Sequence, residues 1–367
     1  MLINAMGLIL ADHDRVVLSE LSQPRALAAM PFGGRYRIID FALSNMVNSG
    51  IKRVGVIAMK KYRSLMDHLG TGSSWDLDRM EKGLSILPPY LSSSYFNSER
   101  NDLNGLLDFV KSAKERFVVV CDSNVIMNVE LDKLVEAHQE NDADMTVMYN
   151  LDSNKFGSPT FSLVLERGVL KDLLVDAPEP PTQRNSLGVM VMERQFLIGL
   201  LEEGIARGRT EFTMEILLKM YNRFKIRGFD YKGTALRINS VATYFSSSMR
   251  LLDDDIRREL YNTERPVYTK VKDEAPALYH DGNEVSNSLI SDGCDITGTV
   301  KDSILFRGVH VGRHAELHNC IIMQDSQIGD GAVLNNVIID KNTIIRPGVR
   351  LQGQTDYPVV IGKGVIV

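Results

Sequence analysis

Between Cys294 and Leu351 the chain carries a spacing that few folds can satisfy. Apolar residues stand at Cys294, Val300, Leu305, Val311, Leu317, Ile322, Ile328, Leu334, Ile339, Ile345 and Leu351, at successive intervals of 6, 5, 6, 6, 5, 6, 6, 5, 6 and 6. Every three steps close on 17 residues. Small and turn-forming residues (Gly312, Gly329, Asp330, Gly331, Asn335, Asn336, Pro347, Gly348) fill the gaps. Such a period describes a triangular parallel β-helix. Each inward side chain stacks on its equivalent one coil away, and no coil buries its apolar face alone. The expectation is a left-handed parallel β-helix of hexapeptide repeats over residues 285–367, with a regularly spaced β-sandwich as the alternative.

The preceding sequence follows another rule. Short apolar runs alternate with longer amphipathic stretches, which predicts strands at Gly7–Ala11, Val54–Met59, Phe117–Asp122, Met145–Leu151, Phe161–Glu166 and Gly188–Met192. Helical spacing covers Arg37–Ser49, Asn104–Arg116 and Leu131–Asn141, and Met214, Leu217, Leu218 and Tyr221 share one helical face that reads as core. Alternation of this kind implies a doubly wound α/β domain with a mixed sheet over residues 1–250, whose ligands sit at the carboxyl ends of the strands. That places the site near Asp12–Ser22 and Asp122–Asn128. Residues 251–284 are charged, contain Pro266 and Pro276, lack clean periodicity and read as a linker.

Several function classes are disfavoured. The start MLINAMGLILADHD has no basic lead, and no stretch reaches the roughly 18 consecutive apolar residues of a membrane span, so a cytoplasmic protein is expected. Cys121, Cys294 and Cys320 have no metal-ligand spacing and read as core thiols in a reducing compartment. A net charge of -5 with scattered lysines and arginines argues against nucleic acid as a partner.

After the first strand come MPFGGRYRIIDFALSN (Met30–Asn45) and VNSGIKRVGVI (Val47–Ile57). This run resembles the N-terminal signature of the glucose-1-phosphate adenylyltransferase family, which makes ADP-glucose from ATP and glucose 1-phosphate for glycogen or starch. The family shares the two-part architecture. Its catalytic members carry a G-G-x-G-T-R-L turn whose glycines let backbone N–H groups reach a triphosphate that the arginine neutralises. A gapless count puts Asp12, His13, Asp14, Arg15, Val16, Val17 and Leu18 there. The glycines and the motif's arginine are gone, and two carboxylates about 4 Å apart would repel by roughly 4 kcal/mol at an effective dielectric near 20. A metal site at Asp12, His13 and Asp14 is the alternative to a solvated polar turn.

The other motifs of catalytic members are altered as well. Ser98, Glu99, Arg100 and Asn101 replace the G-T-A-D stretch that receives the base. Where a Gly-Asp pair would hold magnesium, the chain has Ser123-Asn124, and a neutral amide oxygen cannot replace the charge a hard cation requires. Asp122 could substitute only after a register slip. Counting back from Tyr244-Phe245, the second metal carboxylate becomes Arg237, an acid turned base. In the V-E-K-P motif that grips the sugar phosphate, the lysine becomes Ala177. The resemblance therefore implies a degenerate site at Asp12, His13, Asp14, Arg15, Val17, Asn124, Ala177 and Arg237, with no catalytic residue, metal or cofactor of its own.

An intact framework around a lost site points to a protein partner. The pattern resembles the GlgD-type subunit of this family, a regulatory chain accompanying a catalytic sister. A hetero-tetramer with that catalytic subunit is expected, and a homo-oligomer is the alternative. Family resemblance also implies an anionic metabolite effector between the two domains. Arg25 and Arg37 match its basic positions and Leu27 replaces the following lysine; Arg37 could instead pair with Asp40. An active nucleotidyltransferase with a relocated site around Asp122, Asp12 or Asp14 is the competing enzyme reading, although no other phosphate loop is present. A β-helix acyltransferase would need a general-base histidine; His310, His314 and His318 are expected on strands and turns as solvated residues.

Overall fold

The computed structural model describes residues 3–11, 18–58, 61–79, 82–87, 103–151, 161–177, 184–208 and 221–367. The N-terminal strands are β1 (Ala5–Leu10), β2 (Pro31–Phe32), β3 (Tyr36–Arg37), β4 (Val54–Ile57), β5 (Leu84–Leu87), β6 (Phe117–Asp122), β7 (Val125–Ile126), β8 (Met145–Asn150), β9 (Phe161–Glu166), β10 (Val169–Val175), β11 (Asn185–Glu193), β12 (Ile226–Asp230) and β13 (Leu236–Arg237). Nine of them form one mixed sheet in the order β5-β4-β1-β6-β11-β8-β12-β10-β9. The side holding β5, β4, β1 and β6 is parallel throughout, whereas β11 runs antiparallel to both β6 and β8. Central strands covered on both faces need unbroken apolar runs, which is why AMGLIL in β1 and FVVVCD in β6 are buried at every position.

Helices clothe both faces. Ile38–Asn48 and Leu131–Glu140 pack on one side through Ile39, Leu43, Met46, Leu131 and Leu134. Leu103–Ser112 and Arg194–Ala206 pack on the other through Leu106, Val110, Leu197 and Leu201. Gly7 permits the close fit on the first face: a Cβ there would stand 2.7 Å from the Met46 sulfur. The helix expected over Asn104–Arg116 stops early because Arg116 N and Phe117 N donate to the Asn4 carbonyl at 3.1 Å, opening the β1–β6 ladder. Strands β5, β10 and β12 go unannounced in the sequence, and β11 is longer than expected. The proposed helical face at Met214, Leu217 and Leu218 lies outside the described residues, as does the side chain of Tyr221.

The C-terminal part is a β-helix-like stack of parallel coils. From Val300 onward the period is the expected one, with Val300 beside Leu317, Leu317 beside Leu334 and Leu305 beside Ile322. Two coils depart from it. Val285 pairs with Val300, Ile290 with Leu305 and Ile296 with Val311, each 15 residues apart, so Ile296 and not Cys294 is the coil equivalent of Val311. In the last coil Ile339 pairs with Ile361, 22 residues on, around an inserted 353–358 loop. Corners explain what the period leaves open. Asn287, Asp302, Asn319 and Asn336 form one column of left-handed residues, and Gly293, Gly308, Asp325 and Asn342 form another. Only glycine and short polar residues tolerate that conformation routinely. The Asn319 amide donates to Asn336 Oδ1, and Asn336 Nδ2 donates to the Gly353 carbonyl at 3.2 Å, so one corner is also a hydrogen-bonded ladder.

The segment expected as a linker is partly ordered into both halves. Asp254–Leu260 is a helix capped by Asp253, and Leu278–Tyr279 already pairs with the stack. Between them Tyr268 N donates to Ser44 Oγ at 2.8 Å, and the carbonyls of Leu260 and Arg265 accept from Asn128. A single apolar cluster then joins the halves: Phe32, Phe41, Ile126, Leu236, Ile238, Tyr244 and Phe245 on one side meet Ile304, Phe306, Ile321, Met323 and Ile338 of the stack.

Candidate functional site

The crevice lies at the carboxyl end of β6, beside that of β1, where Leu10 pairs with Asp122 and Ser123 N donates to the Leu10 carbonyl at 3.1 Å. Asp12, His13, Asp14, Arg15 and Val17 follow β1 but lie outside the described residues, as do Ser98, Glu99, Arg100 and Asn101. After Asp122 the chain turns through Ser123 and Asn124 into β7, which pairs antiparallel with β13 and sets Val125 beside Arg237. The Asn124 carbonyl accepts from Ile238 N at 2.8 Å. Asn124 and Arg237, far apart in sequence, are therefore neighbours on one two-stranded ribbon.

Strand β11 supplies the opposite wall. Its register against β8 shifts between Ser186 and Met190, a bulge that contains Gly188 in a left-handed conformation with φ 68°. A Cβ at Gly188 would stand 2.2 Å from Asp122 Oδ2, so glycine is what lets the Asp122 carboxylate lie against this strand. The bulge also turns the Ser186 carbonyl toward β13, where Arg237 Nη2 donates to it. Arg237 is buried, and two influences oppose each other on its charge: desolvation lowers its pKa and the Asp122 carboxylate raises it.

The family pattern implies a divalent cation here, and the residues present do not fit one. Of the two positions that would supply carboxylates, one is the neutral Asn124 and the other is the cationic Arg237. Asp122 faces that guanidinium. Asn124 Oδ1 and Ser123 Oγ are buried without hydrogen-bond partners, but two neutral oxygens beside a positive charge are a poor nest for a hard dication. Among the described residues no group of three or more His, Cys, Asp or Glu is arranged to hold a metal. Ala177, half-buried, follows Asp176 in a left-handed turn after β10 and offers no cation to a sugar phosphate.

A second polar region lies where the stack meets the sheet domain. Arg25, only 4% exposed, reaches Asp340 of the stack with Nη2 at 2.9 Å from both carboxylate oxygens. The neighbouring Lys341 donates its backbone N–H to Asp340 Oδ1 at 2.7 Å. Burial, then the charges of Arg37 and Arg25, push the Lys341 pKa from 10.5 down to about 7, despite Asp340. Lys272 adds to the positive field. Arg37 sends Nη1 to the Ser64 carbonyl at 2.6 Å and to Ser64 Oγ at 3.0 Å. Only its backbone N–H, at 2.9 Å from Oδ2, meets Asp40; the other Asp40 oxygen lies 2.6 Å from His68 Nε2. Sequence reasoning named Arg25 and Arg37 but missed Lys341, whose only signal was a charged Asp-Lys pair directly after the inward Ile339.

Elsewhere, His310 and His280 both face Asp295, at 3.3 and 2.6 Å, on an exposed side of the stack. His310 lies on a strand and His314 at a left-handed corner, as expected. Cys121, Cys294 and Cys320 are buried free thiols with raised pKa values, which suits packing and not nucleophilic chemistry. Among the described residues no helix is long and apolar enough to cross a membrane.

Comparison with known proteins agrees with this architecture. Residues 7–158 match the nucleotidyl transferase family, and residues 276–356 match the GlmU-like, C-terminal hexapeptide family. The chain is 35% identical to the glycogen biosynthesis protein GlgD of Bacillus subtilis (strain 168), over 98% of this chain and 96% of that one. It is 36% identical to the GlgD of Geobacillus stearothermophilus over the same shares. A glucose-1-phosphate adenylyltransferase of Clostridium perfringens (strain SM101 / Type A) is 29% identical over 99% of this chain and 95% of that enzyme.

Proposed function

The chain belongs to the glucose-1-phosphate adenylyltransferase family and within it resembles the GlgD glycogen biosynthesis proteins along nearly its whole length, and from that premise we propose that it is a non-catalytic regulatory subunit of ADP-glucose synthesis. Its role is in glycogen biosynthesis, its partner is a catalytic glucose-1-phosphate adenylyltransferase chain, and the assembly is a cytoplasmic hetero-tetramer. The stack in this reading is a left-handed β-helix. The observation that carries the proposal is the crevice itself: Asn124 and Arg237, side by side, replace the two carboxylates that magnesium-dependent transfer needs. The framework that a partner would recognise is intact, from Met30–Asn45 through the apolar junction with the stack. A chain without turnover can still alter its partner's rate, provided its contacts differ between two states of the complex.

The test is ADP-glucose formation from ATP and glucose 1-phosphate with magnesium, using this chain, its catalytic sister and their mixture. No turnover alone and a changed rate or effector response in the mixture are expected. Robust turnover by this chain alone would overturn the reading. The relocated-site alternative gains nothing from Asp122, whose carboxylate faces Arg237.

An anionic metabolite effector fits the junction between the two halves, with Lys341, Arg37 and Lys272 as its positive lining and Arg25 held by Asp340 as its frame. This gives a pH prediction. With its folded pKa near 7 and its unfolded value near 10.5, Lys341 binds its proton more weakly folded than unfolded. Its contribution therefore opposes folding progressively as pH falls from about 10.5 to 7, and the opposition is complete below 7. A bound anion favours the charged form, so it takes up a proton and binds more tightly as pH falls through 7. Sulfate, whose own charge is constant over this range, should bind several-fold more tightly at pH 6 than at pH 8 by calorimetry. In Lys341→Met that difference should vanish. An equal pH dependence in the variant would assign the effect elsewhere.

A further inference from the structure

We infer that Arg237 is the resident cation of the crevice, a guanidinium tied to Asp122 and to the β11 bulge in the place where the family pattern calls for a divalent metal. Three independent features converge on this. The β7–β13 pairing fixes the base of the Arg237 side chain beside Val125, one residue past Asn124. The bulge at Gly188 both admits the Asp122 carboxylate and presents the Ser186 carbonyl to Arg237 Nη2. Arg237 itself is 4% exposed and Asp122 9%, so neither charge is screened by bulk water. A guanidinium so placed has directional donors that a metal lacks, and it cannot leave. The crevice is therefore neutralised permanently and without magnesium, and a dication approaching it meets a fixed positive charge in place of an acid.

The consequence is structural as well as chemical. In a metal-dependent site the two acidic strand ends repel until the ion arrives. Here β6, β11 and β13 are held together by groups belonging to the chain, and the crevice is set in one conformation whatever the magnesium concentration. This inference uses only the absence of turnover from the function proposed above, not its regulatory half.

The experiment compares manganese binding, read from the loss of the free-ion electron paramagnetic resonance signal, with thermal unfolding in a small set of full-length variants. The unaltered chain should take up no stoichiometric manganese at millimolar concentration, and its melting temperature should not respond to magnesium. Restoring two acids in Asn124→Asp/Arg237→Asp should create one site per chain, with at least tenfold tighter binding. Arg237→Met should lower the melting temperature by roughly 10 °C because it strands a buried carboxylate, and Asp122→Asn/Arg237→Met should recover at least half of that loss. The last pair keeps the test decisive even where the two-acid variant does not fold. Manganese bound by the unaltered chain as tightly as by the two-acid variant would overturn the inference, and so would an Arg237→Met chain of unchanged stability. A chain that binds no manganese yet leaves its partner's rate untouched keeps this inference and sinks the regulatory proposal; the reverse result separates them the other way.

Discussion

Asp340→Ala is expected to lower the stability of the whole chain by about 3–5 kcal/mol, the usual cost of removing one partner from a buried ion pair. Asp340 is fully buried on the stack, and both its oxygens accept from Arg25 Nη2 at 2.9 Å. Arg25 is nearly as buried, with Nη1 lying 3.8 Å from the Met30 sulfur and 4.0 Å from that of Met323. Those thioethers cannot stand in for a carboxylate, so truncating the acid leaves a desolvated guanidinium. The loss of the acceptor for Lys341 N adds to the cost. Because the pair crosses from one half to the other, the loss should register in both. Urea unfolding would show a lower midpoint at unchanged slope, followed by near-infrared-insensitive probes in each half, such as Trp75 fluorescence for the sheet domain. Arg25→Met/Asp340→Leu, which removes both charges and keeps volume, should be far closer to the parent than Asp340→Ala. An Asp340→Ala chain as stable as the parent would mean that the pair is solvated.

What the sequence disclosed and what it withheld divide along a physical line. The stack was legible because its period is local: Leu317 finds its equivalent at Leu334 by counting. The 15-residue and 22-residue coils were not, because a corner can absorb two residues or an insertion without disturbing any inward position nearby. Counting through Cys294 gave the right interval and the wrong partner for Val311. In the sheet domain the fully buried strands β1 and β6 announced themselves, whereas β10 and β12, with charges along them, resembled loops. The loss of acids at Asn124 and Arg237 was readable from motif alignment alone. What Arg237 does instead was not readable, since its acceptor is 51 residues away and is presented by a bulge. Lys341 escaped for a similar reason. Its depressed pKa comes from burial and from Arg37 and Arg25, which lie far from it in sequence.

The junction between the halves carries the second large effect. Phe306 of the stack is 1% exposed and belongs to the same apolar cluster as Ile126, Leu236 and Ile238, the residues that flank Asn124 and Arg237 on the β7–β13 ribbon. The stack and the crevice thus share one core, and neither half closes its apolar surface without the other. Phe306→Ala should cost about 3–5 kcal/mol, combining lost transfer energy with a cavity that flat strands cannot collapse to fill. It should also weaken the coupling between the halves, so that calorimetry resolves two transitions where the parent shows one. Leu317→Ala, which empties a position in the stack's separate internal core, should lower stability without splitting the transition in this way. If the two substitutions behave alike, the junction is not the element that makes the halves unfold together. If they differ as expected, an anion bound beside Lys341 presses on the same packed unit that holds β13, which is the physical contact a regulatory subunit needs between its effector junction and the rest of its fold.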